Sequence, residues 1–257
     1  MTLIVGITCA DGVVLASDSA ATFAMDGIPT IGQQEVKKVL ILSNSILYAS
    51  TGAFGISQLV AHSLKSGWDG NEFAHTNTPE EMMAKIGARI AGLVKPYLES
   101  AVLLRQLNKD PSTSLCKCVV AIPVKKRPYL LTFDYNGAPE VVSAELPFVS
   151  MGSAQGIADP FLALLRRLLW PKTAPNLAEG RLVAAWTIEH ARRTNPGGVG
   201  GPIQLSTLSA DGTASIGSED IQEHLGQINS AEDAIVKQLR GTAESPPEPP
   251  PPSPKHS

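Results

Sequence analysis

The sequence predicts an α+β fold, a four-layer αββα sandwich in which two antiparallel sheets lie between helix pairs. Three observations carry that expectation. Strand hairpins come in pairs at the N-terminus, and helices then arrive two at a time between further runs of antiparallel strands. Turn-forming dipeptides join neighbouring strand signals: Asp11-Gly12, Ser43-Asn44, Asn136-Gly137 and Asp211-Gly212. Strand runs separated by helix pairs give sheets that each take helices on one face and must bury the other face against a second sheet.

The elements follow in order. An apolar strand at 3–7 turns at Asp11-Gly12 into a second strand at 13–16, which ends on Ser17-Asp18-Ser19. A segment rich in turn formers, including Asp26-Gly27-Ile28-Pro29, reads as a loop to Gly32. Strand signals resume over 35–42, turn at Ser43-Asn44 and continue over 45–50 into the small residues Thr51-Gly52-Ala53. A helix is expected over 55–66, with Ile56, Leu59, Val60 and Leu64 on its apolar face. Thr78-Pro79-Glu80-Glu81 supplies a cap residue, a proline in the first turn and an acid three residues after the cap, so a long helix starts there and runs past Pro96 towards Leu107. Strands are expected at 115–124, 129–134 and 141–143, and Pro147 to Met151 leads into Gly152-Ser153. Helices over 155–170 and 177–193, strands over 203–209 and 213–216, and an amphipathic helix over 230–239 complete a domain spanning residues 2–240. Residues 241–257 are dominated by proline and have almost nothing to bury, so they read as a disordered, polyproline-like tail.

Composition narrows the function. The formal net charge is −3 with no basic stripe, which does not favour nucleic-acid binding. No apolar run is long enough to span a bilayer, so no membrane role is expected. Cys9, Cys116 and Cys118 form an odd set without partnering ligands and fit buried, reduced thiols in a cytoplasmic protein; the five histidines lack metal-ligand spacing. No metal and no cofactor are expected.

Thr2 follows Met1 directly, so removal of Met1 would give a threonine with a free α-amine. Hydroxyl and amine on one residue put a nucleophile beside its base. Taken alone, Met-Thr at the start of a hairpin says little. Further segments raise it: Thr2-LIVGITCADGVVLASDSAAT with an acid at the second strand's end, Val36-Lys37-Lys38-Val39, Thr51-Gly52 and Gly152-Ser153. In this order and spacing the chain resembles the proteasome β-subunit and HslV group of N-terminal-nucleophile hydrolases, over roughly residues 2–216 and most closely in the first sixty.

The resemblance implies the αββα fold and a cytoplasmic threonine peptidase that hydrolyses peptide bonds inside a homo-oligomeric ring, as in bacterial members without a long propeptide. It implies Thr2 as nucleophile, Lys38 and Asp18 as the ion pair beside it, Gly52 as oxyanion donor and Ser153 as the group orienting the N-terminal residue. Ala20, Ala21, Thr22 and Ala53 would flank an extended peptide or unfolded-protein substrate. Ala21, Leu40 and Ser50 would line the primary specificity pocket, with room for a bulky apolar side chain. An ATP-dependent unfoldase feeding the chamber is compatible with this reading. Two features depart from the family. The Thr22–Lys37 segment is a few residues longer, and Thr194 to Gly200 lacks the supporting Asp and Ser of the proteasome branch. The second departure keeps open a catalytically weak ring-forming scaffold, and the nucleophile type also suits an amidase acting on a small non-peptide amide.

Overall fold

The computed structural model describes residues 2–25, 28–108, 111–143, 145–195 and 198–241, with backbone alone at 22–25, 28–33, 112 and 113. Residues 242–257, on which the tail expectation falls, lie outside the described residues. Twelve strands and five α-helices are described, in the order β1 (Leu3–Thr8), β2 (Gly12–Ser17), β3 (Ala20–Met25), β4 (Ile28–Glu35), β5 (Leu40–Leu42), β6 (Ile46–Gly52), α1 (Phe54–Asp69), α2 (Pro79–Gln106), β7 (Cys116–Val124), β8 (Arg127–Phe133), β9 (Pro139–Val141), β10 (Phe148–Gly152), α3 (Gln155–Leu169), α4 (Leu177–Thr194), β11 (Gln204–Ser209), β12 (Gly212–Ser215) and α5 (Ser218–Gly241).

Two five-stranded antiparallel sheets, β10-β1-β2-β11-β12 and β5-β6-β7-β8-β9, form the middle of the molecule. Alternation along each strand builds the layers, because successive side chains leave opposite faces of a sheet. Leu3, Val5 and Ile7 of β1, with Val14 and Ala16 of β2, pack against α3, α4 and α5. Ile4, Val13 and Leu15 face the other way and meet Leu47, Ala49, Val119 and Ala121 of the second sheet. Tyr48, Cys118, Val120 and Ile122 leave that sheet's far face and pack against α1 and α2. Strands with both faces covered read as continuous apolar runs, as 3–7 and 118–122 do. The result is the expected αββα sandwich. Among the described residues no helix is long and apolar enough to cross a membrane, and no group of three His, Cys, Asp or Glu could hold a metal.

Local signals account for the boundaries. Ser43 and Asn44 take φ of 50° and 51°, the two positive values that a tight hairpin turn demands. The Thr78 hydroxyl accepts the Glu81 N–H at 3.2 Å, starting α2. Asn176 and Glu179 form a reciprocal capping box at the start of α4. The first hairpin turns at Ala10-Asp11, one residue earlier than expected, with the Cys9 N–H donating to the Gly12 carbonyl at 2.7 Å.

Three further expectations need correction. The segment read as a loop is a separate two-stranded sheet, β3 and β4, with register shifts around Phe23. The strand expected over 35–42 is shorter: only Leu40–Leu42 pairs with β6, while residues 36–39 cross between sheets. The last helix begins at Ser218, twelve residues before the expected start at 230, with Ile221 and Ile228 buried against the body.

Candidate active site

Antiparallel pairing brings the ends of several strands to one end of the sandwich. Ile4 pairs with Ser17 and Leu3 with Gly152, so Asp18 and Ser153 lie on either side of the residue pair Thr2-Leu3. The Leu3 N–H donates to Asp18 Oδ1 at 2.9 Å, and the Asp18 N–H returns to the Leu3 carbonyl at 3.3 Å. On the other side the Thr2 N–H donates to the Ser153 hydroxyl at 3.3 Å. That nitrogen is a peptide nitrogen here, because Met1 precedes it; it stands where an α-amine would be once Met1 is removed. Gly152 passes beneath the Thr2 carbonyl with φ of 112°, and a Cβ built on it would lie 2.0 Å from the Thr2 carbonyl oxygen. Only glycine fits there.

Asp18 is 1% exposed, so its charge must be met inside the protein. Three donors meet it: the Lys38 ammonium at 2.8 Å, the Leu3 N–H, and the Gly200 N–H at 3.3 Å on Oδ2. Lys38 is itself 8% exposed at the side chain and also donates to the Ala20 carbonyl at 2.6 Å. Burial pushes the Lys38 ammonium below its ordinary pKa, and the Asp18 hydrogen bond and charge oppose that shift without cancelling it. Lys38 is thus tied through Asp18 to the Leu3 N–H, in the peptide group that follows Thr2.

Gln204, absent from the sequence expectations, holds the lysine's backbone. Its Oε1 accepts the Lys38 N–H at 2.8 Å and the Val39 N–H at 3.2 Å, while its Nε2 donates to the Val36 carbonyl at 2.6 Å. One side-chain amide therefore replaces the ladder bonds that residues 36–39 do not make. Its sequence signal is slight: one polar residue among several in a strand, Gln204–Ser209, that also holds Ser206, Thr207 and Ser209.

Gly52 ends β6 opposite Cys116. The next N–H, of Ala53, reaches the Leu115 carbonyl at 2.7 Å, which makes Gly52–Cys116 a non-hydrogen-bonded pair and leaves the Gly52 N–H outside the ladder. Its φ of 106° and a built Cβ only 2.2 Å from the Leu115 oxygen reserve the position for glycine. The Ala53 N–H is engaged within the fold, so Ala53 can flank a bound peptide without pairing with it through that group.

A cavity of about 370 Å³ opens beside these groups, with Thr2, Ala21, Lys38, Leu40, Ser50 and Gly52 among its walls. Five of the residues expected at the site thus share one cavity with Thr2. Ala20 contributes its carbonyl to Lys38, and the side chain of Thr22 lies outside the described residues. In the segment Thr194 to Gly200, the Thr194 hydroxyl donates to the His190 carbonyl at 2.7 Å, and Gly200 serves through its backbone. Cys9, Cys116 and Cys118 are free and buried; burial pushes the Cys9 thiol up to about 12 and Cys116 to about 11, which keeps them protonated and inert.

The comparisons with known proteins agree with this architecture. A family model described as proteasome subunit matches residues 2–167. Among solved structures, Anbu (ancestral beta-subunit) from Yersinia bercovieri superposes with a TM-score of 0.67 at 15% identity, covering 96% of this chain and 99% of that one. An Anbu mutant from Hyphomicrobium sp. strain MC1 gives 0.66 at 17% identity, covering 95% and 100%. No curated protein matches the chain. The likeness to the Anbu structures shows a shared fold.

Proposed function

This chain belongs to the proteasome subunit family, and from that premise and the site's geometry we propose that it is a threonine peptidase whose nucleophile is Thr2, exposed by removal of Met1. One observation supports this reading above the rest. A single buried carboxylate, Asp18, binds both the backbone beside Thr2 and the Lys38 ammonium, so candidate nucleophile and candidate cation are tied to one anchor.

The Thr2 hydroxyl attacks the substrate carbonyl and its proton passes to the α-amine, whose ordinary pKa of about 7.7–8.0 suits a general base near neutral pH. The Lys38 ammonium stabilises the developing alkoxide and favours the neutral amine. Asp18 keeps Lys38 charged against the cost of burial. The Gly52 N–H, outside its ladder, receives the oxyanion; loss of one such donor typically lowers rate by about 10²–10³. Collapse of the tetrahedral species breaks the C–N bond, the leaving amine takes the proton, and water then hydrolyses the threonyl ester. Self-compartmentalisation in a homo-oligomeric ring belongs to the same proposal.

A catalytically weak ring scaffold is the second reading. It draws on the stretch from Thr194 to Gly200, which among the described residues gives Asp18 a backbone donor and gives Thr2 no side-chain partner. Intact-mass measurement before and after a peptide epoxyketone, with a Thr2→Ala control, separates the two. The peptidase reading expects loss of Met1 and one adduct that the control lacks. Retained Met1, or no adduct on exposed Thr2, would leave the scaffold.

A further inference from the structure

Three hydroxyl-bearing residues line part of the cavity beside Thr2. Tyr48, Ser50 and Ser57 all line it, and they touch one another. The Tyr48 hydroxyl donates to the Ser57 carbonyl at 3.1 Å and lies 3.3 Å from the Ser57 hydroxyl, which in turn is hydrogen-bonded to the Ser50 hydroxyl. Tyr48 belongs to β6 and Ser57 to the first turn of α1, so packing between sheet and helix sets the group. Three hydroxyls carry three hydrogens. One goes from Tyr48 to a carbonyl and one joins the two serines. The partners within the protein for the third are the engaged Tyr48 oxygen and the Cys116 sulfur, a weak acceptor. A better acceptor entering the cavity takes that hydrogen.

The remaining walls sharpen the selection. Ala21, Val36, Leu40 and Phe54 give the cavity apolar sides, which suit a methylene stem. Lys37 and Lys38 are its charged members, and no carboxylate lines it among the described residues, so a cationic side chain finds no counter-ion there. Gln58 adds another polar head.

We propose that this cavity takes a substrate side chain with a short methylene stem and an oxygen-bearing planar head, the amide of glutamine or the carboxylate of glutamate, at the residue whose carbonyl Thr2 attacks. This inference rests on Thr2 being the nucleophile. It replaces the expectation of a bulky apolar side chain, because filling the cavity with leucine would strip water from the hydroxyls and return no hydrogen bond. Sites that hydrogen-bond a substrate group discriminate strongly against analogues lacking it, whereas apolar pockets discriminate weakly.

The test labels the full-length protein, after Met1 removal, with four peptide epoxyketones identical except for glutamine, glutamate, leucine or arginine next to the warhead, followed by intact mass. The glutamine or glutamate probe is expected to label about 10- to 100-fold faster than the leucine probe. The arginine probe should be slower than both polar probes. Ser57→Ala and Tyr48→Phe should each shrink the polar-to-leucine ratio by about tenfold; because both probes are compared on one protein, a general loss of folding cancels. A glutamate lead over glutamine supports the proposal and assigns part of the selection to Lys37. Labelling led by leucine or arginine, or a ratio unmoved by both variants, overturns the proposal while leaving Thr2 as nucleophile. Labelling by none of the four overturns the peptidase reading and this inference with it.

Discussion

Replacing Asp18 by asparagine should destabilise the fold in a way that changes with pH. The change preserves shape and removes one charge. With its oxygen in place of Oδ1 an asparagine keeps the Leu3 and Lys38 donors but sets its NH₂ against the Gly200 N–H; turned over, it keeps Gly200 and sets its NH₂ against both Leu3 and Lys38. The Lys38 ammonium, 8% exposed, loses its counter-ion and keeps the Ala20 carbonyl. Breaking a buried pair by removing one partner costs about 3–5 kcal/mol, and the surviving carbonyl bond argues for the lower end.

Burial already lowers the Lys38 pKa, and both opposing influences come from Asp18. Without them the folded-state pKa falls further below the unfolded value. Below the folded pKa both states carry the proton and the full penalty is felt. As pH rises from there towards about 10.5, the unfolded chain binds more protons than the folded one, so stability is regained. Urea denaturation of the wild type, Asp18→Asn, Lys38→Met and the double variant, at several pH values from about 6 to 10, measures this. Asp18→Asn should lose about 3 kcal/mol at neutral pH and recover part of it on the alkaline side, and adding Lys38→Met should restore part of the stability at neutral pH. A deficit that is independent of pH and unrelieved by Lys38→Met would refute the claim that the loss of the Asp18 charge beside a buried ammonium is its cause.

Three further outcomes follow from the same geometry. Gly152→Ala would drive a Cβ into the Thr2 carbonyl and should slow epoxyketone labelling by about 10²-fold; Gly156→Ala, in α3 with nothing within 4 Å, should label at the wild-type rate, and equal rates for both would contradict the clamp. A thiol reagent at about pH 8 should find no reactive cysteine in the folded protein and all three after denaturation, since the two thiols at about 11 and about 12 are not ionised there and Cys118 is pushed up further by burial. Gln204→Leu should cost about 2–3 kcal/mol by leaving the Lys38 and Val39 N–H groups unpaired, and should shift the alkaline limb of the labelling-rate profile that reports Lys38, a shift that lost packing alone would not produce.

The sandwich was legible because its strands carry strong local signals. Leu3, Val5 and Ile7 alternate with Ile4 across a strand covered on both faces, and paired positive-φ turns mark where chains reverse. What escaped sequence reading lacked such a signal. Over β4 the sequence offers Pro29, Gly32, Gln33 and Gln34 in place of alternating apolar residues, and its pairing with β3 shifts register around Phe23. The first turns of α5 hold Gly226 and an acidic start, and its apolar stripe of Ile221, Leu225 and Ile228 gains meaning only against α4. Gln204 is one polar residue at a strand's start, and its three bonds to residues 36–39 span more than 160 positions in the chain.

The candidate site residues were drawn from segments that resemble the family, and four of them lie at strand ends at the same end of the sandwich. Asp18 follows β2, Gly52 ends β6, Ser153 follows β10 and Thr2 precedes β1. Within a strand, facing and burial dictate the side chain. One residue past its end those demands lapse, and a carboxylate or hydroxyl can be kept for chemistry. Which terminal residues meet is nevertheless decided inside the sheets. The pairing of Ile4 with Ser17 delivers Asp18 to the Leu3 N–H, and a slip of one residue would present Ser17 or Ser19 instead. The same slip would turn Leu3, Val5 and Ile7 off the helices and put Ile4 in their place. The cost of misplacing four buried side chains therefore guards the position of a single carboxylate. The apolar layers of this protein hold its candidate site in register.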